Sequence, residues 1–161
     1  MVKLEPLRAV HRMLVPIDGS DASYSALAAA SEIAHMHRAD VAALYVIEVP
    51  RRLAVDADLP GEFDRGETIL SRAEEVAREY KVKIEASMCQ ARQAGHAVVD
   101  EAIEGGVDAI VVGVDYHRPH GRFRLGRLPQ YVLAHAPCEV WLFRYMPRDE
   151  TVIGGPEREF E

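Results

Sequence analysis

Between Arg12 and Arg144 the chain alternates five strand-length segments with stretches of helical periodicity, and this alternation constrains the fold more than any other feature. The strand candidates are Met13 to Ile17, Val41 to Val49, Lys81 to Cys89, Ala109 to Val112 and Glu139 to Arg144. Between them lie helical stripes. Tyr24, Leu27, Ala28, Ser31 and Ala34 recur within Asp21 to His37, and Ile69, Leu70, Ala73, Val76, Ala77 and Tyr80 within Glu67 to Tyr80. Val98, Val99, Ala102 and Ile103 do so within Gly95 to Glu104, and a short helix is expected from Leu128 to His135. Pro50 to Gly66, with two prolines and two glycines, reads as a long surface loop. Strands that alternate with helices are joined by right-handed crossovers, so the expected fold is a doubly wound, Rossmann-like α/β domain around a five-stranded parallel sheet. Continuous apolar runs suit central strands. The segment that alternates Val82, Ile84, Ala86 and Met88 with Lys83, Glu85 and Ser87 suits an edge. The expected strand order is 3-2-1-4-5.

A length of 161 residues is enough for one domain that folds without disulfides or metal. The expected boundaries are an N-terminal extension (1–11), the domain (12–146) and a flexible C-terminal tail (147–161). With 48% hydrophobic and 28% charged residues the mixture is that of a globular protein, and no apolar run approaches the ~20 residues that span a bilayer. No membrane insertion is expected. The first eleven residues carry charges without the apolar core of an export signal, so the expected address is cytoplasmic. Cys89 and Cys138 lack a Cys-x-x-Cys spacing and read as reduced, packed thiols. A net charge of −7 and a pI near 5.5 argue against nucleic-acid binding, which depends on neutralising many phosphates. Any anion site must therefore be a local basic island.

Such an island exists. The apolar run Ala109 to Val112 is expected to stop at Gly113, followed by a loop that contains Arg118, Arg122 and Arg124, with His117 and His120, and ends at Gly126 and Arg127. A glycine at the carboxyl end of a parallel strand, before a loop feeding a helix N-terminus, suits phosphate binding by backbone N–H groups. In the order 3-2-1-4-5 the sheet reverses between the strands ending at Asp18 and at Gly113, so these two turns are expected to converge.

The opening Met-Leu-Val-Pro-Ile-Asp-Gly-Ser (Met13 to Ser20), the Ala-Pro-Cys-Glu-Val turn into the last strand and the Gly113 unit together resemble the universal stress protein family, over about Arg12 to Arg144. The resemblance implies a five-stranded domain of the adenine nucleotide alpha hydrolase-like type, a homodimer built through the last strand, and a role in stress adaptation. Family members that bind ATP carry G-x2-G-x9-G-[ST] after the fourth strand. Here Gly113 and Gly126 match the first and third glycines, whereas Tyr116 replaces the second and Arg127 the hydroxyl residue. Asp18, which in the family reaches the adenosine, is present with Pro16, and Val41 is matched to the residue whose backbone meets the adenine. The implied nucleotide site is Pro16, Asp18, Val41, Val112, Gly113, Asp115, Tyr116, Gly126, Arg127 and Leu128, with Arg118, Arg122 and Arg124 as an anion-binding loop and Arg127 taking over missing loop contacts. The ligand would be ATP or a related adenine nucleotide, with only nucleotide-associated Mg.

The residues also admit plainer roles. Asp18 can cap the turn that follows it, and Ser20 and Ser23 read as helix caps, because no nucleophile signature surrounds them. His117 and His120 read as surface histidines, and His35 and His37 do not face each other. No catalytic residue is assigned, although slow ATP hydrolysis stays open. Trp141 and Phe143 are expected to pack on opposite faces of the last strand, with Val140 and Leu142 leaving neither face polar. An apolar edge strand invites aggregation unless covered, and a second copy of the chain would cover it. Two functions follow: a nucleotide-binding regulator, or an adaptor that has lost ATP and docks an acidic protein or another anion on its basic loop. A hydrolase of phosphorylated small molecules has only the basic loop in its favour.

Overall fold

The computed structural model describes residues 10–116 and 121–146. Among them β1 (Arg12–Pro16), α1 (Asp21–His37), β2 (Asp40–Glu48), α2 (Pro60–Glu79), β3 (Glu85–Ala91), α3 (Ala94–Glu104), β4 (Ala109–Asp115), α4 (Arg127–His135) and β5 (Glu139–Tyr145) follow one another along the chain. All strand pairs are parallel and the order is β3-β2-β1-β4-β5, as the alternation implied. The former expectations for residues 1–9, 117–120 and 147–161 lie outside the described residues.

The period of two divides the strands between two cores. Met13, Val15 and Ile17 of the first strand segment face α1 and α2 with Tyr24, Leu27, Ile69, Leu70 and Val111. Leu14 faces the other layer with Val98, Val99, Ile110, Val112 and Val132 of α3, β4 and α4. β1 is central, so consecutive residues Met13, Leu14 and Val15 are all buried. That is why its sequence is continuously apolar.

α1 opens on Ser20, whose Oγ accepts from the Ser23 N–H at 3.2 Å, while the Ser23 hydroxyl donates back to the Ser20 carbonyl at 2.8 Å. Such a cap stabilises a helix by about 1 kcal/mol. At the amino end of the sheet, Asp108 Oδ2 accepts from the backbone N–H groups of His11 and Arg12, at 2.7 and 2.9 Å. The Arg12 guanidinium pairs with Glu85 at 2.6 Å, a hydrogen bond that holds the Glu85 carboxyl below the usual carboxylate range. Cys89 and Cys138 are half-buried thiols, and burial raises the pKa of both.

Several boundaries differ from the expectation. α2 begins at Pro60, so the last part of the supposed loop is helix. Proline suits a first helical turn, and Gly66, which read as a loop residue, is instead buried in α2 against Tyr45 and Met88. β3 starts at Glu85 because pairing with β2 begins at Ala42↔Glu85. β4 does not stop at Gly113 but runs on to Asp115, because β5 stays in register with it through Asp115↔Tyr145. Trp141 and Phe143 do not lie on opposite faces. Two residues apart on one strand, they share a face and pack with Tyr145 against the α1–α2 core, whereas Val140 packs against the α3–α4 core and Leu142 is exposed.

Candidate functional site

The strands β1 and β4 are neighbours, but they pair only at Met13↔Ala109 and Leu14↔Ile110. Both then continue, β1 to Pro16 and β4 to Asp115, without further pairing to each other. Beyond Leu14 and Ile110 the two strands make no further pairs, and strand order reverses here, the point at which doubly wound sheets carry a crevice for ligands.

One wall is the β1–α1 turn. The Ile17 N–H still donates to the Leu44 carbonyl at 2.9 Å, and the chain then leaves the sheet. Asp18 is exposed, and its Oδ1 accepts from the Ser20 N–H at 2.9 Å, closing the turn. Gly19 has φ +89°, a left-handed conformation open to glycine and strained for other residues. The capping role expected of Asp18 is thus occupied by one oxygen. Its other oxygen makes no hydrogen bond among the described residues and can accept from a ligand hydroxyl.

The opposite wall is β4. Val112 is buried and Gly113 lies inside the strand, opposite Phe143. A Cβ built on Gly113 would stand 2.1 Å from the Ala22 carbonyl oxygen and 2.8 Å from Ala26 Cβ. The absent side chain is therefore the space into which the first turns of α1 settle. Small residues Ala22, Ala26 and Ala30 allow that approach. Asp115 is exposed at the strand end.

Next comes an aromatic clamp. The Tyr116 N–H donates to the Tyr145 carbonyl at 2.8 Å, extending the β4–β5 ladder by one bond. The Tyr116 ring stacks on Phe123 with centroids 5.7 Å apart and an interplanar angle of 7°. The Arg144 guanidinium carbon lies 4.8 Å from the Tyr116 ring and 4.9 Å from the Phe123 ring. Tyr116 thereby ties the loop to β5. Arg122 and Arg124, which flank Phe123, are exposed, and Arg118 falls outside the described residues.

α4 starts from Gly126, which offers no side-chain cap, with exposed Arg127 at its first position and half-buried Leu128 at its second. Pro129 carries no N–H, and the Gln130 N–H donates to the Gly126 carbonyl at 3.2 Å. The first turn is left with the Arg127 and Leu128 N–H groups to receive an anion, with no acidic residue beside them.

Val41 does not reach this region. It pairs with Met13 at the amino end of β2 and is 1% exposed. Because Pro16 pairs with Leu44, the β2 residues beside the crevice are Tyr45, Val46 and Ile47, of which Val46 is partly exposed. The register, not the residue type, carries that information. Among the described residues no group of three or more His, Cys, Asp or Glu is placed to hold a metal ion, and no helix is long and apolar enough to cross a membrane.

Fold and crevice define a doubly wound α/β domain with an anion-compatible switch point, and comparison with known proteins narrows the class. The Universal stress protein family matches residues 9–144, and the chain belongs to that family. It is 30% identical over 135 residues to the universal stress protein MJ0531 of Methanocaldococcus jannaschii, spanning 80% of this chain and 79% of the relative. Among solved structures it resembles a universal stress protein from Archaeoglobus fulgidus (TM-score 0.71, 22% identity, 82% of this chain and 97% of the other). The structure of an Archaeoglobus fulgidus universal stress protein in complex with dAMP gives a TM-score of 0.66 at 20% identity, over 82% and 96% of the two chains. A universal stress protein in complex with cAMP gives 0.66 at 23% identity, over 84% and 98%.

Proposed function

We propose that this chain is a nucleotide-binding regulatory protein acting in stress adaptation in the cytoplasm, and that ATP or a related adenine nucleotide binds in the crevice between β1 and β4. The observation that carries the reading is the early end of β1–β4 pairing at the switch point, with Asp18 in the turn that follows β1 and the uncapped start of α4 after β4. In this arrangement Asp18 accepts from the ribose, and the β2 backbone near Val46, in place of Val41, borders the base. The phosphates meet the Arg127 and Leu128 N–H groups and the Arg122, Arg124 and Arg127 side chains, with Mg accompanying them. The cAMP and dAMP bound to structural relatives are adenine nucleotides of the same kind. Binding would order the loop and change the surface offered to a protein partner. No residue is assigned to catalysis, and any ATP hydrolysis would be slow.

The test is thermal unfolding with millimolar AMP, ADP and ATP. A ligand at ~100 times its dissociation constant adds about 2.7 kcal/mol of stability, so a clear rise in midpoint is expected for wild type and its loss for Asp18→Ala. If no nucleotide moves the wild-type midpoint, the second reading takes over. That reading is a dimeric adaptor whose basic loop docks an acidic partner. It is favoured by Gly113, whose open space is filled by α1, and by Tyr116, held by Phe123 and Arg144.

Either reading uses a homodimer joined through β5. Val140, Trp141 and Phe143 are half-buried and Leu142 is 36% exposed on a strand that lies at the sheet edge. An apolar edge of this kind is stabilised by pairing with a second copy. Leu142→Asp, at the exposed position of this strand, should shift the protein toward monomer in sedimentation velocity. Unchanged dimer mass would move the interface elsewhere.

A further inference from the structure

Tyr45 carries a polar atom that the core around it leaves unused. The residue is 7% exposed, and its ring is wedged under α2, where a Cβ built on Gly66 would stand 2.8 Å from Tyr45 Cδ1 and 2.9 Å from Cε1. Its hydroxyl makes no hydrogen bond among the described residues. The unpartnered side-chain atoms sealed from solvent there are Arg12 Nε and Ser31 Oγ, so the Tyr45 hydroxyl reaches the surface. Tyr24, in the same core, shows the usual outcome for a buried tyrosine: its hydroxyl donates to the Ile69 carbonyl at 3.2 Å.

The surroundings of that hydroxyl belong to the carboxyl end of the sheet. Tyr45 follows Leu44, whose carbonyl accepts from the Ile17 N–H at 2.9 Å, so it stands beside the step from Ile17 to Asp18 and directly precedes Val46. α2 borders the same turn, because a Cβ at Gly19 would lie 3.1 Å from Ile69 Cδ1. Arg65 and Glu62, four and seven residues before Ile69, continue that side of the helix toward its start. Burial raises the pKa of the Tyr45 hydroxyl above the usual tyrosine value, the nearby Arg65 charge opposes this, and those of Glu62 and Asp18 add to it. The phenol therefore keeps its proton at neutral pH and can both donate and accept. Asp18, Glu62 and Arg65 are exposed, and no ion pair joins them among the described residues. Two carboxylates against one guanidinium favour a ligand group that presents N–H donors.

We propose that the Tyr45 hydroxyl reads the base of the ligand by accepting a hydrogen bond from the exocyclic amino group of adenine, with Glu62 and Arg65 beside it. This rests on the nucleotide reading above and adds to it a means of selecting a base that carries an amino group. A site built around such a bond discriminates against a ligand that lacks the group, because its own polar atoms are then left unpaired.

The test is calorimetric titration of AMP, and of the analogue with hydrogen in place of the amino group (purine riboside monophosphate), into wild type and Tyr45→Phe. The substitution removes one oxygen and keeps the ring that packs on Gly66, so the urea midpoint without ligand should not fall. Wild type should bind AMP roughly fivefold more tightly than the analogue, and Tyr45→Phe should bind the two about equally, having lost affinity for AMP alone. Wild type that binds AMP and the analogue equally, or a preference for AMP that survives in Tyr45→Phe, overturns the role of the hydroxyl and leaves the nucleotide reading standing. A lower urea midpoint for Tyr45→Phe would give the hydroxyl a structural partner and also overturns the role. No binding of either ligand by wild type overturns both the role and the reading it rests on.

Discussion

Gly113→Ala is expected to destabilise the protein by about 3 kcal/mol, read as a lower urea midpoint at unchanged slope. The added carbon would lie 2.1 Å from the Ala22 carbonyl oxygen and 2.8 Å from both the Ala22 carbonyl carbon and Ala26 Cβ. Two of these contacts are helix backbone, which cannot rotate aside, so α1 as a whole must move off β4. That movement would carry the Asp18–Ser20 turn with it, and ligand binding should weaken together with stability. Gly61→Ala is the control. A Cβ at Gly61 meets nothing within 4 Å, and alanine in a helix is favoured over glycine by up to about 1 kcal/mol. A Gly113→Ala protein as stable as wild type would mean that this glycine serves loop conformation and not helix packing.

Gly113 illustrates where sequence reading succeeds and where it stops. The alternation of apolar runs with helical stripes was sufficient for the topology, because a run apolar at every position, such as Met13 to Val15, is stable only where both faces of the sheet are covered. Glycine in such a run marks a close approach, but what approaches depends on the partner element. The alanines at 22, 26 and 30 were a usable signal, since a small-residue stripe lets a helix lie near a strand.

Val41 failed for a different reason. A nine-residue buried strand crosses the whole sheet, and the end at which a residue sits depends on register with its neighbour, here Pro16↔Leu44. Residue type is uninformative inside a uniformly apolar run. The start of α2 was obscured because Pro60, Gly61 and Gly66 act as punctuation in isolation, although proline at a first helical position and glycine at a tight packing point are both compatible with helix. The Tyr116–Phe123–Arg144 clamp joins two residues of the segment between β4 and α4 to one of β5. Nothing local in the sequence could have joined them.

The second large effect is expected at Arg127. It occupies the first position of α4 next to an uncapped N-terminus, where a guanidinium adds a full charge to the partial positive charge of the helix end. Hydrogen bonds to charged groups contribute about 1.5–3 kcal/mol, so Arg127→Ser should weaken nucleotide binding roughly tenfold or more and flatten its dependence on salt. Serine restores the hydroxyl that ATP-binding relatives are expected to carry there. The substitution therefore separates a site rebuilt around arginine from one that arginine has closed. Calorimetric titration of AMP and ATP into wild type and Arg127→Ser, each at low and moderate salt, tests the central claim most directly. Measurable binding by wild type that weakens with salt and drops in Arg127→Ser is the predicted result, whereas no heat of binding in wild type, or tighter binding by Arg127→Ser, would contradict it.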